Sequence, residues 1–217
     1  MTDISNMYFY YININCIIQV DEVINMMIGI CGKSGAGKGT VCSFFKGISD
    51  DIIWIDIDKI GHSVNNREEV KEKLIQCFGE NILNDEVIDR KKLGKMVFNS
   101  KKKMSLLEEI TWHYMKEEID YIIDQNEDKI ILLDWNLLPK TTYYKDADLR
   151  ILVDAPLEER KQRAMKRDNI TEKQFMIREN NAPNYECLDF DIVINNKYKK
   201  LTRKKVREIY DKSIISR

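Results

Sequence analysis

The stretch GICGKSGAGKGT, residues 29–40, constrains this chain more than any other. It contains the pattern G-x-x-x-x-G-K, running from Gly32 through Gly37 to Lys38. The apolar run MIGIC at 27–31 reads as a buried strand leading into it. Residues 38–47, with Val41, Phe44 and Phe45 on one face, read as a helix leading out. In that context the glycines let the backbone curl so that successive N–H groups point inward, and the helix N-terminus adds its positive end. Gly35, Ala36, Gly37, Lys38, Gly39 and Thr40 are therefore expected to hold the phosphates of a nucleoside triphosphate. One position departs from the pattern. A Ser or Thr normally follows the lysine and touches Mg²⁺, whereas here Gly39 follows and the hydroxyl comes one place later, at Thr40. The ion is then held through water or by other groups, which Mg²⁺ accepts readily.

The rest of the chain alternates in the same way. Residues 52–55 (IIWI), 129–133 (KIILL), 149–153 (LRILV) and 191–194 (DIVI) read as strands. Residues 67–78, 89–99, 101–125, 157–167, 171–180 and 199–213 read as helices. In the longest of these, Met104, Leu107, Ile110, Met115, Ile119 and Ile122 keep near-helical spacing, and Thr171 with Glu172 marks a helix start. Uninterrupted apolar strands separated by helices predict an α/β fold with a mostly parallel sheet covered on both faces, the three-layer P-loop NTPase arrangement. Ligands in such sheets sit at the carboxyl ends of the strands.

Acidic side chains recur at those ends. Asp56 and Asp58 follow the second strand in IIWIDIDKIGHS, and at a period of two they point the same way. Asp58 serves either as acceptor of a proton from an attacking hydroxyl or as a metal-side carboxylate, or else it caps a helix. Asp134 ends the strand IILLD, either as a second metal-side carboxylate or as part of an ordinary turn. Thr40, Asp56 and Asp134 form the candidate Mg²⁺ set. In EERKQRAMKRD, Arg160, Arg163 and Arg167 recur at helical spacing, as a clamp for ATP phosphates, as a platform for adenine, or as a solvated face interleaved with Glu158 and Glu159.

Composition narrows the partners. The formal net charge is -1, so the whole chain exerts no attraction on nucleic acid or an acidic membrane. The basic runs near Lys101 and Lys199 read as solvated helix faces. Five scattered cysteines without a C-x-x-C, and only two histidines, argue for a reducing, cytoplasmic setting without a zinc site. No apolar run is long enough to span a bilayer. Residues 1 to about 25 lack the features of a signal peptide. They read as an extension ahead of Met26-Met27, or as an extra edge strand, since YFYYININCII has β propensity.

Several stretches together resemble the dephospho-CoA kinase family across most of residues 27–196. WIDIDKIGH is similar to the family's V-I-D-A-D-x-I-A-H, and VIDRKKLGKMVF to its L-D-R-K-K-L-G-x-x-V-F. RILVDAPLEERKQRAMKRD resembles a strand, V-D-A-P and a helix ending R-x-x-x-R-D, while DIVINN resembles the terminal V-I-x-N strand. The resemblance implies transfer of the γ-phosphate of Mg-ATP to the ribose 3′-hydroxyl of dephospho-CoA. By that match Asp58 is the base, Lys38 and Arg163 complete the catalytic set, and Arg163, Arg167 and Asn195 lie beside ATP. It also implies a helical acceptor-binding subdomain near 63–125 and a lid near 168–189. The departures cluster on the acceptor side. ITWHYM stands where I-T-H-P-L-I is expected, DWNLLPK where D-x-P-L-L-F-E is expected, and NNAPNYECLDF is acidic where Lys and Arg are usual. They leave two other readings open: a kinase for another nucleoside or nucleotide, and a degenerate paralogue that binds nucleotide without transfer.

Overall fold

The computed structural model describes residues 26–98 and 100–215. The reading of residues 1–25 as an extension or edge strand lies outside them.

Five strands form one sheet: β1 (Met26–Cys31), β2 (Ile52–Asp56), β5 (Ile130–Asp134), β6 (Leu149–Asp154) and β7 (Ile192–Asn195). Their order is β2-β5-β1-β6-β7, and every pairing is parallel. The chain leaves β1 toward one edge and later returns to fill the other, so the carboxyl end of β1 is a switch point of the topology, where such sheets open a crevice.

Alternation along β5 shows how the sheet is covered. Ile130 and Leu132 belong to one apolar cluster, with Val41 and Phe45 of α1 (Lys38–Lys46) and Val206 and Ile209 of α9 (Lys199–Ser213). Ile131 and Leu133 belong to the other. There they meet Ile57 and Ile60 of α2 (Ile57–Val64), Leu74 of α3 (Glu68–Phe78), Leu93 of α4 (Arg90–Val97) and Met115 and Ile119 of α5 (Lys101–Asp124). Each such side chain contributes roughly 1.5–3 kcal/mol on full burial, which is why β5 reads as an unbroken apolar run.

The helices start where polar side chains take up otherwise unpaired amides. Asp89 caps α4 through Lys91 and Lys92 N–H at 2.8 and 3.1 Å, and Ser100 caps α5. Thr171 and Gln174 form a capping box at α8 (Glu172–Asn181), which bears out Thr171 as a helix start. The remaining helices are α6 (Tyr143–Asp146) and α7 (Leu157–Asp168).

Two features depart from the expectation. The chain turns from β2 straight into α2 at Ile57, a two-turn helix that begins before Asp58, the residue read as its candidate cap. Between α3 and α4 lies a hairpin of β3 (Leu83–Asn84) and β4 (Val87–Ile88), with Asp85 left-handed at φ 52°. Two-residue strands are too short to leave a periodic signal. Among the described residues no helix is long and apolar enough to cross a membrane.

Candidate active site

The phosphate loop leaves β1 and ends at Gly37, the left-handed residue that precedes α1. Neither a side-chain cap nor an acidic residue in the first turn occupies the α1 N-terminus, so its amides are available to an anion. Two glycines are required on steric grounds as well as conformational ones. Gly35 has φ 79°, and a Cβ there would fall 2.0 Å from the Arg160 carbonyl oxygen. Gly37 has φ 92°, and a Cβ there would fall 2.0 Å from Asn196 Nδ2. The loop is therefore clasped by α7 and by the end of β7.

Lys38 Nζ stands 3.6 Å from Asp134 Oδ1 at the end of β5. Asp134 is buried and lies in register with Ile30 of β1 and Asp56 of β2. Burial pushes its carboxyl above the ordinary aspartate range; Lys38 opposes this, and the neighbouring charges of Asp56 and Asp58 add to it. Burial also holds the Cys42 thiol of α1 well above the ordinary thiol range, and the charge of Asp134 adds to this.

Asp56 and Asp58 do not share a strand face as expected. Because α2 begins at Ile57, Asp56 is its N-cap, accepting from Lys59 N–H at 3.2 Å and pairing with Lys59 Nζ at 3.2 Å. Asp58 sits in the first turn of α2, exposed, with Oδ1 accepting from Trp135 Nε1 at 3.1 Å. The cap is thus Asp56, and Asp58 has one oxygen engaged.

The three arginines of α7 have separate environments. Arg160 is buried and makes two hydrogen bonds to Glu179 of α8, at 2.6 and 2.9 Å; Glu179 also pairs with Lys33 of the loop at 2.9 Å. Arg163 donates to the carbonyls of Asn196 at 2.9 Å and Lys197 at 3.3 Å, and pairs with Glu159. Arg167 grips Asp168 at 2.7 and 3.0 Å, with the charges of Asp58 and Asp134 within electrostatic reach. The Arg163–Glu159 pair fits the solvated-face reading, and the burial of Arg160 against Glu179 departs from it.

At the β7 end it is Asn196, the neighbour of the expected Asn195, that meets the phosphate loop. Asn195 is exposed, whereas Asn196 is buried, donating from Nδ2 to Ala36 O at 2.8 Å and accepting from Thr202 Oγ1 at 2.9 Å. A cavity of about 190 Å³ is lined here by Gly37, Thr40, Arg163, Asn196, Lys197 and Lys199. A second cavity of about 300 Å³ lies between α5 and the chain after β5, with walls that include Trp112, Met115, Lys116, Trp135, Lys140 and Tyr143.

For a metal, the structure brings Asp56 and Asp134 together in register and puts Thr40 on the wall of the smaller cavity with Arg163. Among the described residues no three His, Cys, Asp or Glu side chains form a cage. A few hard oxygen donors beside an open phosphate cradle match the needs of Mg²⁺, which keeps most of its waters and takes ligands from substrate phosphates. The donor set would not suit zinc.

The dephospho-CoA kinase family model matches residues 26–200. A dephospho-CoA kinase of Aquifex aeolicus is 36% identical over 190 residues, covering 85% of this chain and 95% of that protein. A dephospho-CoA kinase of Dehalococcoides mccartyi is 31% identical over 176 residues, covering 78% and 88%. A crystal structure from Thermus thermophilus superposes with a TM-score of 0.76 at 22% identity, covering 87% of this chain and 97% of that one, which supports the fold.

Proposed function

This chain belongs to the dephospho-CoA kinase family, and from that premise we propose how its cleft performs the family's reaction. The protein is a phosphotransferase acting on a hydroxyl group: it phosphorylates the ribose 3′-hydroxyl of dephospho-CoA, the last step in making coenzyme A. We infer ATP, bound with Mg²⁺, as the donor, and a cytoplasmic setting for the reaction. The bond from the γ-phosphorus to the β-phosphate bridging oxygen breaks, a bond to the 3′-oxygen forms, and ADP leaves. The hydroxyl proton goes to a carboxylate.

We assign that carboxylate to Asp58, because it is exposed and stands in the first turn of α2 with one oxygen unengaged. Lys38 and the amides at the start of α1 neutralise the phosphates. Such chemistry depends chiefly on positioning and charge. Arg163 and Arg167 would offset charge growing at the transferring group. Arg163, on the wall of the smaller cavity with Thr40 and Asn196, suits the nucleotide side. Asp134 and Asp56 would hold Mg²⁺, in part through water, and the bound ion would supply charge neutralisation between the outer phosphates. On this reading α2–α5 present the acceptor, and the segment near 168–189 closes over ATP.

The observation that carries the proposal is the Lys38–Asp134 pair at the switch point, next to an uncapped helix start. The test is an acceptor panel with ATP and Mg²⁺: dephospho-CoA, AMP and nucleosides, scored for ADP and phosphorylated product. Conversion of dephospho-CoA to coenzyme A, with the others far slower, is expected. Comparable transfer to AMP or a nucleoside, or nucleotide binding without transfer, would overturn it.

A further inference from the structure

We propose that Trp135 is a positioning residue for the base, holding the Asp58 carboxylate in the orientation that receives the acceptor's proton. This rests on the reading of Asp58 given above. Trp135 follows directly on Asp134, and its backbone N–H donates to Ile30 O at 3.2 Å, so the β1–β5 ladder extends one residue past the end of β5. The indole is 6% exposed and meets the Trp112 ring of α5 edge-on, with centroids 5.5 Å apart and planes at 64°. A ring held by its own backbone, a neighbouring aromatic and near-complete burial has little freedom. Its N–H direction is therefore set by the fold.

That N–H donates to Asp58 Oδ1 at 3.1 Å, across 77 residues of sequence. Such pairing is not automatic in this chain, since the Nε1 of Trp54 is buried with no partner. Asp58 is exposed on a first helical turn, and an unengaged carboxylate there would rotate about its side-chain torsions. Fixing one oxygen leaves the other as the accepting site with a defined direction, which is what proton transfer in a near-attack geometry requires. The donor is also neutral, so it orients the carboxylate without forming an ion pair. Trp135 also helps to wall the 300 Å³ cavity, so on this reading one side chain both shapes the acceptor side and sets the base.

The test replaces Trp135 with benzothienylalanine, an isostere that keeps the ring volume and lacks the N–H, beside a fluorinated tryptophan that keeps both. Asp58→Asn is measured in parallel. The isostere is expected to lower kcat by roughly 10- to 100-fold, with the KM for ATP within about twofold and the melting temperature unchanged, while the fluorinated residue restores turnover. If Asp58→Asn is inactive but the isostere turns over at the wild-type rate, the positioning role fails and the base survives. If Asp58→Asn stays active, both fail. A lower kcat accompanied by an equal loss of ATP binding or of melting temperature also overturns the proposal, because it marks a general structural role.

Discussion

Asn196 Nδ2 donates a hydrogen bond of 2.8 Å to the carbonyl oxygen of Ala36, joining the end of β7 to the phosphate loop. The same amide accepts from Thr202 Oγ1 of α9, so one buried side chain ties three elements at the nucleotide side of the cleft. Asn196→Ala leaves the Ala36 carbonyl and the Thr202 hydroxyl without that partner. The expected cost is about 1–3 kcal/mol, or a melting temperature lower by roughly 2–10 °C, with a raised KM for ATP. Asn195→Ala, one residue earlier and exposed, should change stability by no more than about 0.5 kcal/mol. Calorimetry and initial-rate kinetics on the two variants check the contrast.

Two loop glycines should respond in opposite ways. Gly37→Ala forces a methyl to within 2.0 Å of Asn196 Nδ2 at φ 92°, so the loop must shift, and ATP binding should weaken at least about tenfold. Gly39→Ser places its Cβ 3.6 Å from the Trp54 ring, an ordinary contact. It should fold with a melting temperature within about 2 °C of the parent. Titration calorimetry with ATP and thermal melts separate the two. A Gly37→Ala protein with unchanged affinity would contradict the cradle as described.

Acid should loosen the contact between α7 and α8. Asp168 is pulled from the ordinary aspartate value of 3.8 down to about 2 by its hydrogen bonds with Arg167; burial opposes the fall, and Arg178 of α8 adds to it. Because the folded value lies below the unfolded one, the stabilisation is fully present above about pH 4 and drains away as pH falls toward 2. Its size is on the order of 1 kcal/mol, allowing for solvent screening of a partly exposed group. Asp168→Asn should therefore be less stable than the parent at neutral pH, and the gap should close on acidification. Urea melts at several pH values measure that gap. A difference independent of pH would assign the effect to packing instead.

The five strands of the sheet and the longer helices were legible because each carries a local pattern. The apolar runs of β1 and β5 predicted a parallel sheet, and the glycines and lysine of 32–38 predicted the loop at its switch point. What escaped notice depends on contacts distant in sequence. Asn196 meets Ala36 across 160 residues, and Trp135 meets Asp58 across 77. No spacing rule favours Asn196 over Asn195 until the end of β7 is known. The shared face expected of Asp56 and Asp58 failed for a local reason: Asp56 is a strong helix cap, so the strand period stops there. Arg160 looked like its neighbours on α7, and only the fold reveals that Glu179 of α8 takes it inward.

The account turns on Asp58 taking the proton while Lys38 and the loop amides hold ATP. Rapid-quench measurement of a single turnover in Asp58→Asn, with ATP binding followed on the same protein, tests this most directly. The account predicts a transfer rate lower by about 10²- to 10⁴-fold with ATP affinity within about twofold of the parent. Transfer at the parent's rate, or a loss of ATP affinity large enough to explain the whole effect, would contradict it.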